Sequence, residues 1–273
     1  MSIELFLGLD LAWQDNRPGR PANETGIAVL DPDGHVLDAG WTRGLDETVD
    51  RIASYAGGRS ALVFIDAPLV VDNPTGQRAC ETAVGQRYGR WKVSANTTNL
   101  SSPRQAGVAL RHRLEQAGWR YSDGHDGPPG DGRWCCECYP YTTLVGAPEL
   151  GYNLERPRYK RKPRSMLVAQ WRPIRQTACD ELVRRMTRLA DADPPLRLDS
   201  HPITGQLAAE PSPLDDAAYK HREDLIDALL CAWTAAFWTR HGTDRCQILG
   251  PSGSDTAEPA ATIIAPARPE QRR

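Results

Sequence analysis

Five carboxylates stand where chemistry could use them. Asp10 and Asp66 are each the first charge after an apolar run, and Glu137 lies inside the short run 134–139 between Cys136 and Cys138. Asp224 and Asp227 are three residues apart and therefore share one face of a helix; Asp227 is set in the otherwise apolar stretch 225–238. An ionised carboxylate taken out of water is costly unless it is paired, hydrogen-bonded or bound to a metal. Asp227 therefore demands a compensating group. If these acids converge, their hard oxygen ligands select Mg2+ or Mn2+ over zinc. Each has a plainer alternative. Asp10 and Asp66 could end strands and start turns, Asp224 could sit in the first turn of a helix and complement its dipole, and Asp227 could pair with Arg184 or Arg185. Glu137 could face solvent from an exposed strand edge.

The elements that must position these acids are readable from periodicity. Residues 3–10, 26–31 and 36–41 read as strands, the last two joined by the turn sequence Asp31-Pro-Asp-Gly34. Residues 45–55 carry apolar groups at helical spacing, and 60–65 (SALVFI) is a continuous apolar run of the kind buried on both faces. A meander followed by a helical crossover places the fourth strand parallel to the first, with Asp10 and Asp66 at the same carboxyl edge. Beyond it, 72–118 reads as mainly helical with a loop at 96–103, 123–132 as a turn-rich loop, and 134–139 as a fifth strand. Helices are expected at 175–190 and 221–240, and a short strand at 261–264 before a disordered polar tail. The expected organisation is one domain over 1–250 with an insertion at about 72–132, then a C-terminal segment 251–273.

Composition bounds the partners. The 273 residues are 40% hydrophobic and 25% charged with a net charge of -2, which is ordinary globular usage. Any nucleic-acid contact must therefore come from a local patch. The basic stretch 156–175 supplies one: Arg156, Arg158, Lys160, Arg161, Lys162, Arg164, Arg172 and Arg175 occur there without a single acid. Its first five cations are the candidate substrate contacts for DNA or RNA; the plain alternative is a solvated loop. Residues 1–13 lack the basic and apolar regions of a signal peptide, and 225–238 is too short for a membrane span. A cytoplasmic protein with reduced thiols is expected. Cys135, Cys136 and Cys138 have no second ligand pair, and the first two point to opposite faces of a strand. No phosphate-binding GxxxxGK[ST] loop appears; a nucleotide-binding or phosphoryl-transfer role and a non-catalytic binding role remain the rival classes.

The blocks Gly8-Leu-Asp-Leu-Ala-Trp13, Ile65-Asp-Ala-Pro-Leu69, Glu137-Cys-Tyr-Pro140 and Asp224-Leu-Ile-Asp-Ala228 resemble, in order, those of domain of unknown function family 429. Gln77-Arg-Ala-Cys-Glu81 and the Asn96 loop resemble the family's helical insertion. The resemblance implies an α/β, RNase H-like mixed five-stranded sheet, three antiparallel strands then parallel ones, flanked by helices, and a metal-dependent nuclease. It also implies Asp10, Asp66 and Asp227 as metal ligands, with Asp10 bridging two ions, and Glu137 and Asp224 as further catalytic acids. The late Asp-x-x-Asp-Ala pattern is also similar to that of RuvC-type junction resolvases.

Overall fold

The computed structural model describes residues 2–103, 105–252 and 259–272. In chain order its main elements are β1 (Leu5–Asp10), β2 (Glu24–Leu30), β3 (Val36–Arg43), α1 (Leu45–Ala56), β4 (Ala61–Asp66), α2 (Ala79–Tyr88), α3 (Ala106–Gln116), β5 (Arg120–Tyr121), β6 (Arg133–Glu137), α4 (Pro140–Gly146), α5 (Val168–Thr187), α6 (Pro202–Ala209), α7 (Asp216–His241), β7 (Cys246–Leu249) and β8 (Ile263–Pro266). Among the described residues the main sheet has the order β3-β2-β1-β4-β6-β5, and β7 and β8 form a separate antiparallel pair. The first three strands are antiparallel, and β1, β4, β6 and β5 run parallel.

The pleat divides the sheet residues between two cores. Leu5, Leu7 and Leu9 of β1 and Ala61, Val63 and Ile65 of β4 pack with α1 and α3. Phe6, Leu62 and Phe64 face the larger layer built from α2 and α4 to α7. Burial on both faces explains why β1 and β4 read as continuous apolar runs rather than alternating ones.

Helix α7 determines the geometry of this second layer. The Asp215 carboxylate caps it by accepting from the Ala217 and Ala218 amides at 3.0 and 2.9 Å, and its residues 223–238 are all buried. It crosses β1 and β2 at the two strand positions without side chains. A methyl on Gly8 would overlap the Ala228 carbonyl and the Ala232 amide, and one on Gly26 would overlap the Asp224 carbonyl. Helix backbone thus rests directly on strand backbone.

Several elements depart from expectation. The sheet has six strands among the described residues, not five, because Arg120–Tyr121 adds to β6 through only two paired positions. So short a strand carries no periodic signal. Helix α5 starts at Val168 and accommodates Pro173 in its second turn, and α7 starts at Asp216 rather than 221. The late strand runs Ile263–Pro266, slightly beyond the expected 261–264. The tail expected to be disordered packs instead: Gln271 is buried, and its side-chain amide donates to the Val145 carbonyl at 3.3 Å. Residues 253–258 and Arg273 of that expected segment lie outside the described residues.

Adding a methyl at the helix crossing tests its tightness. Gly8→Ala should lower unfolding free energy by about 1–3 kcal/mol, the range for overpacking, measured by urea denaturation; a change within error would mean that α7 can slide without cost.

Candidate metal centre

Asp10 and Asp66 are register partners at the carboxyl ends of adjacent parallel strands. By the pleat both lie on the α7 side, because they share parity with Phe6 and Phe64. Asp227, fully buried on α7, meets them there, and oxygens of the three carboxylates lie within 4.8 Å of one another. That span suits oxygens sharing a cation at about 2.0–2.6 Å.

Two ammonium groups enter the cluster. Lys160 Nζ contacts Asp227 Oδ2, while Tyr159, fully buried, donates its hydroxyl to Asp227 Oδ1 at 2.6 Å. The Tyr219 hydroxyl, from the first turn of α7, donates to the Tyr159 carbonyl at 2.6 Å and so fixes this stretch of chain. Lys220 Nζ lies 2.5 Å from Asp224 Oδ1, 2.9 Å from Glu223 Oε1 and 4.0 Å from Asp10 Oδ2. Asp10 Oδ2 is buried without a hydrogen-bond partner among the described residues. Five carboxylates, those of Asp10, Asp66, Glu223, Asp224 and Asp227, therefore face two ammonium groups.

The excess of acid shows in the titration of the cluster. Burial, reinforced by Asp227, pushes the Asp10 carboxyl well above the carboxylate range. Burial pushes Asp66 up to about 7, with Lys160 opposing and Asp227 adding to the rise. Burial also raises Asp224 and Glu223, against the pull of Lys220 and Lys160 respectively. For Lys160 burial works the other way, but the carboxylates, led by Asp227, outweigh it and hold the ammonium protonated. A proton or a divalent cation would supply the missing compensation. The orphaned Asp10 oxygen and the all-oxygen donor set fit Mg2+ or Mn2+.

The other two expected acids lie outside the triad but next to it, Asp224 sharing Lys220 with Asp10 and Glu137 lining one cavity with Asp66. Asp224 lies two turns inside α7, where Lys220 holds it; Asp215 is the cap. Glu137 pairs in register with Ile65 rather than with Asp66 and stays outside the triad, although it lines one cavity with Asp66. Arg78 grips it instead at 2.6 and 2.8 Å. The same guanidinium reaches Glu81 at 3.0 Å, and the Leu69 amide donates to Glu137 at 2.9 Å. Glu137 is neither an exposed edge residue nor a member of the triad.

The basic residues also separate. Lys160 joins the acids, whereas Arg156, Arg158, Arg161 and Lys162 line a surface pocket with Lys92. Arg184 and Arg185, the partners considered for Asp227, both bind Glu181. All seven cysteines are buried and unpaired, and Cys135 and Cys136 do lie on opposite sides of the sheet. Sequence reasoning missed Tyr159, Lys220 and Glu223. The spacings Lys220–Asp224 and Glu223–Asp227, each one helical turn, were the available signal for two of them; Tyr159 lies in an irregular stretch with none.

A family model described as Protein of unknown function (DUF429) matches residues 8–251. The chain belongs to this family. No curated protein and no solved structure matches it. The DUF429 match spans all three triad carboxylates, Lys160 and the Arg78–Glu137 pair.

Two measurements probe this charge balance. Because the folded Asp66 carboxyl titrates near 7 and an unfolded one near 4, the folded chain binds more protons between these values. The stability of the metal-free protein should therefore fall as pH rises through this window. In chelator, Tm should drop from about pH 5 to about pH 8, and Asp66→Asn should flatten the drop. Arg78→Met strands Glu137 and Glu81 in the interior and should cost about 3–5 kcal/mol, read by denaturant midpoint; a loss below about 1 kcal/mol would mean the pair is solvated.

Proposed function

We propose that this chain is a divalent-cation-dependent nuclease of RNase H-like fold that hydrolyses phosphodiester bonds in DNA or RNA. The observation that carries this reading is the convergence of Asp10, Asp66 and Asp227 with too little positive charge to balance them. The strand order, three antiparallel strands continued by parallel ones with a long helix across the first two, supports the fold assignment. Among the described residues no helix is long and apolar enough to cross a membrane. Seven unpaired thiols suit the reducing cytoplasm.

In this reading Asp10, Asp66 and Asp227 would hold Mg2+ or Mn2+. When bound, the cation supplies Lewis-acid stabilisation of the phosphoryl oxygens and acidifies a coordinated water. The chain's own groups do the rest. Tyr159 fixes one oxygen of Asp227 and so orients the other. Lys160 and Lys220 are the cations nearest an incoming phosphate, and Asp224 and Glu223, on either side of Lys220, are the carboxylates left to accept a proton from the attacking water.

A second reading is favoured by one contact. Lys160 already supplies positive charge to Asp227, as expected of a non-catalytic nucleic-acid or nucleotide-binding protein that keeps the fold without the metal. Thermal unfolding separates the two, since a ligand specific to the native state must raise stability. Millimolar Mg2+ or Mn2+ should raise Tm of the wild type and leave Asp10→Asn unchanged. Wild type should then cleave labelled nucleic acid in a cation-dependent manner that Asp10→Asn abolishes. Equal Tm with and without cation, together with intact substrate, would establish the binding reading.

A further inference from the structure

The segment around Lys160 has two sides of opposite character. Tyr159 and Lys160 turn inward to Asp227. Arg156, Arg158, Arg161 and Lys162 turn outward and, with Lys92, line one surface pocket whose only acid among the described residues is Glu155. Five cations thus share a concavity with one carboxylate, and among the described residues that carboxylate pairs with Arg158 alone, at 3.4 Å.

Three of the remaining cations, Arg156, Arg161 and Lys162, are held by neutral oxygens, which fix their positions without neutralising them. Arg156 donates to the Lys92 carbonyl at 2.8 Å and its guanidinium lies 4.3 Å from the centre of the Tyr141 ring. Lys162 Nζ donates to the Met166 and Pro163 carbonyls at 2.6 and 3.2 Å. Arg161 donates to the Asn96 side-chain oxygen. Lys92 is exposed, and it occupies a left-handed backbone position, φ 63° and ψ 29°, at the end of the 3-10 turn Gly89–Trp91. Glycine is the residue that ordinarily fills such a position. A lysine there accepts strain to place a charge beside Arg156.

The pocket is linked to the cavity beside Asp66 by one hydrogen bond. Asn96, gripped by Arg161, also lines the cavity formed by Asp66, Trp13 and Tyr139. Asn96 therefore connects the cavity lined by Asp66 with the pocket of the five cations.

We infer that Lys92, Arg156, Arg158, Arg161 and Lys162 form a phosphate-binding pocket, which receives a phosphate of the substrate strand away from the bond that is cut. The polarity supports this: phosphates repelled by the carboxylates need a nearby place where cations are not already neutralised. The inference rests on the nuclease reading for where the strand runs, but not on turnover.

The test is binding of a labelled oligothymidylate in chelator, where no cation-dependent cleavage intervenes. Arg158→Ala/Lys162→Ala should weaken binding by about tenfold and reduce the slope of log affinity against log salt by about 1.4, the value for two phosphate contacts on a single strand. Lys92→Gly should also weaken binding while leaving Tm equal or higher, since it removes the charge and relieves the backbone together; a merely structural lysine would give no loss of affinity. Inorganic phosphate and a mononucleotide, titrated alongside, identify the source. If they show the same dependence on Arg158 and Lys162 while the oligonucleotide does not, the pocket takes a small phosphoester. Unchanged affinity and salt slope in both variants, or no binding of any of these probes by wild type, would overturn the inference. Failure of the nuclease reading shows separately, as absent cleavage and no cation-dependent rise in Tm with binding intact.

Discussion

Everything about the acidic site depends on how closely α7 approaches the sheet. Gly8 and Gly26 remove the side chains that would otherwise separate helix from strands, so the Asp224 and Ala228 carbonyls lie against strand backbone. Asp227 is thereby carried into reach of Asp10 and Asp66. With ordinary side chains at those glycines the helix would stand farther off, and Asp227 would be parted from the Asp10–Asp66 pair. The glycine of the Gly8-Leu-Asp10 block and the aspartates of the Asp224-Leu-Ile-Asp227 block are thus two halves of one requirement.

The interior so created is electrostatically unfinished. Lys160 and Lys220 reach it from opposite sides, one from an irregular segment and the other from the start of α7. Neither can satisfy all the carboxylates, and Asp10 retains an oxygen without a donor among the described residues. A fold selected for stability alone would replace such a cluster with apolar groups, since buried charge that is incompletely paired costs more than it returns. Its persistence beside a solvent-facing cavity is what gives the metal reading its force.

Much of this arrangement is legible in the sequence. The β-β-β-α-β order follows from period and turn chemistry, and the pairing of Asp10 with Asp66 follows from topology, because a crossover must return a strand parallel to the first. What is not legible depends on long-range placement. Arg120–Tyr121 becomes a strand only because β6 offers it an edge. Lys160 looks like one more cation in a basic run until the Tyr159–Tyr219 hydrogen bond shows that this part of the run is folded inward. The run's charge was visible; its division into one buried ammonium and an outward-facing pocket was not, because no periodicity governs an irregular segment.

Glu137 shows how a residue can be tied to a site without belonging to it. Its motif places it on the strand beside Asp66, and sequence alone invites a ligand role. The register pairs it with Ile65 rather than with Asp66, and Arg78 takes its carboxylate, although it lines one cavity with Asp66. It accepts from the Leu69 amide, three residues beyond Asp66, while the neighbouring Cys138 amide donates to the Ile65 carbonyl at 3.0 Å. The exit of β4 is thus held on both sides of Asp66, and Arg78 supplies the charge that lets Glu137 remain buried while doing so. The acid fixes the backbone that presents Asp66, which gives a motif carboxylate a physical role beside the triad.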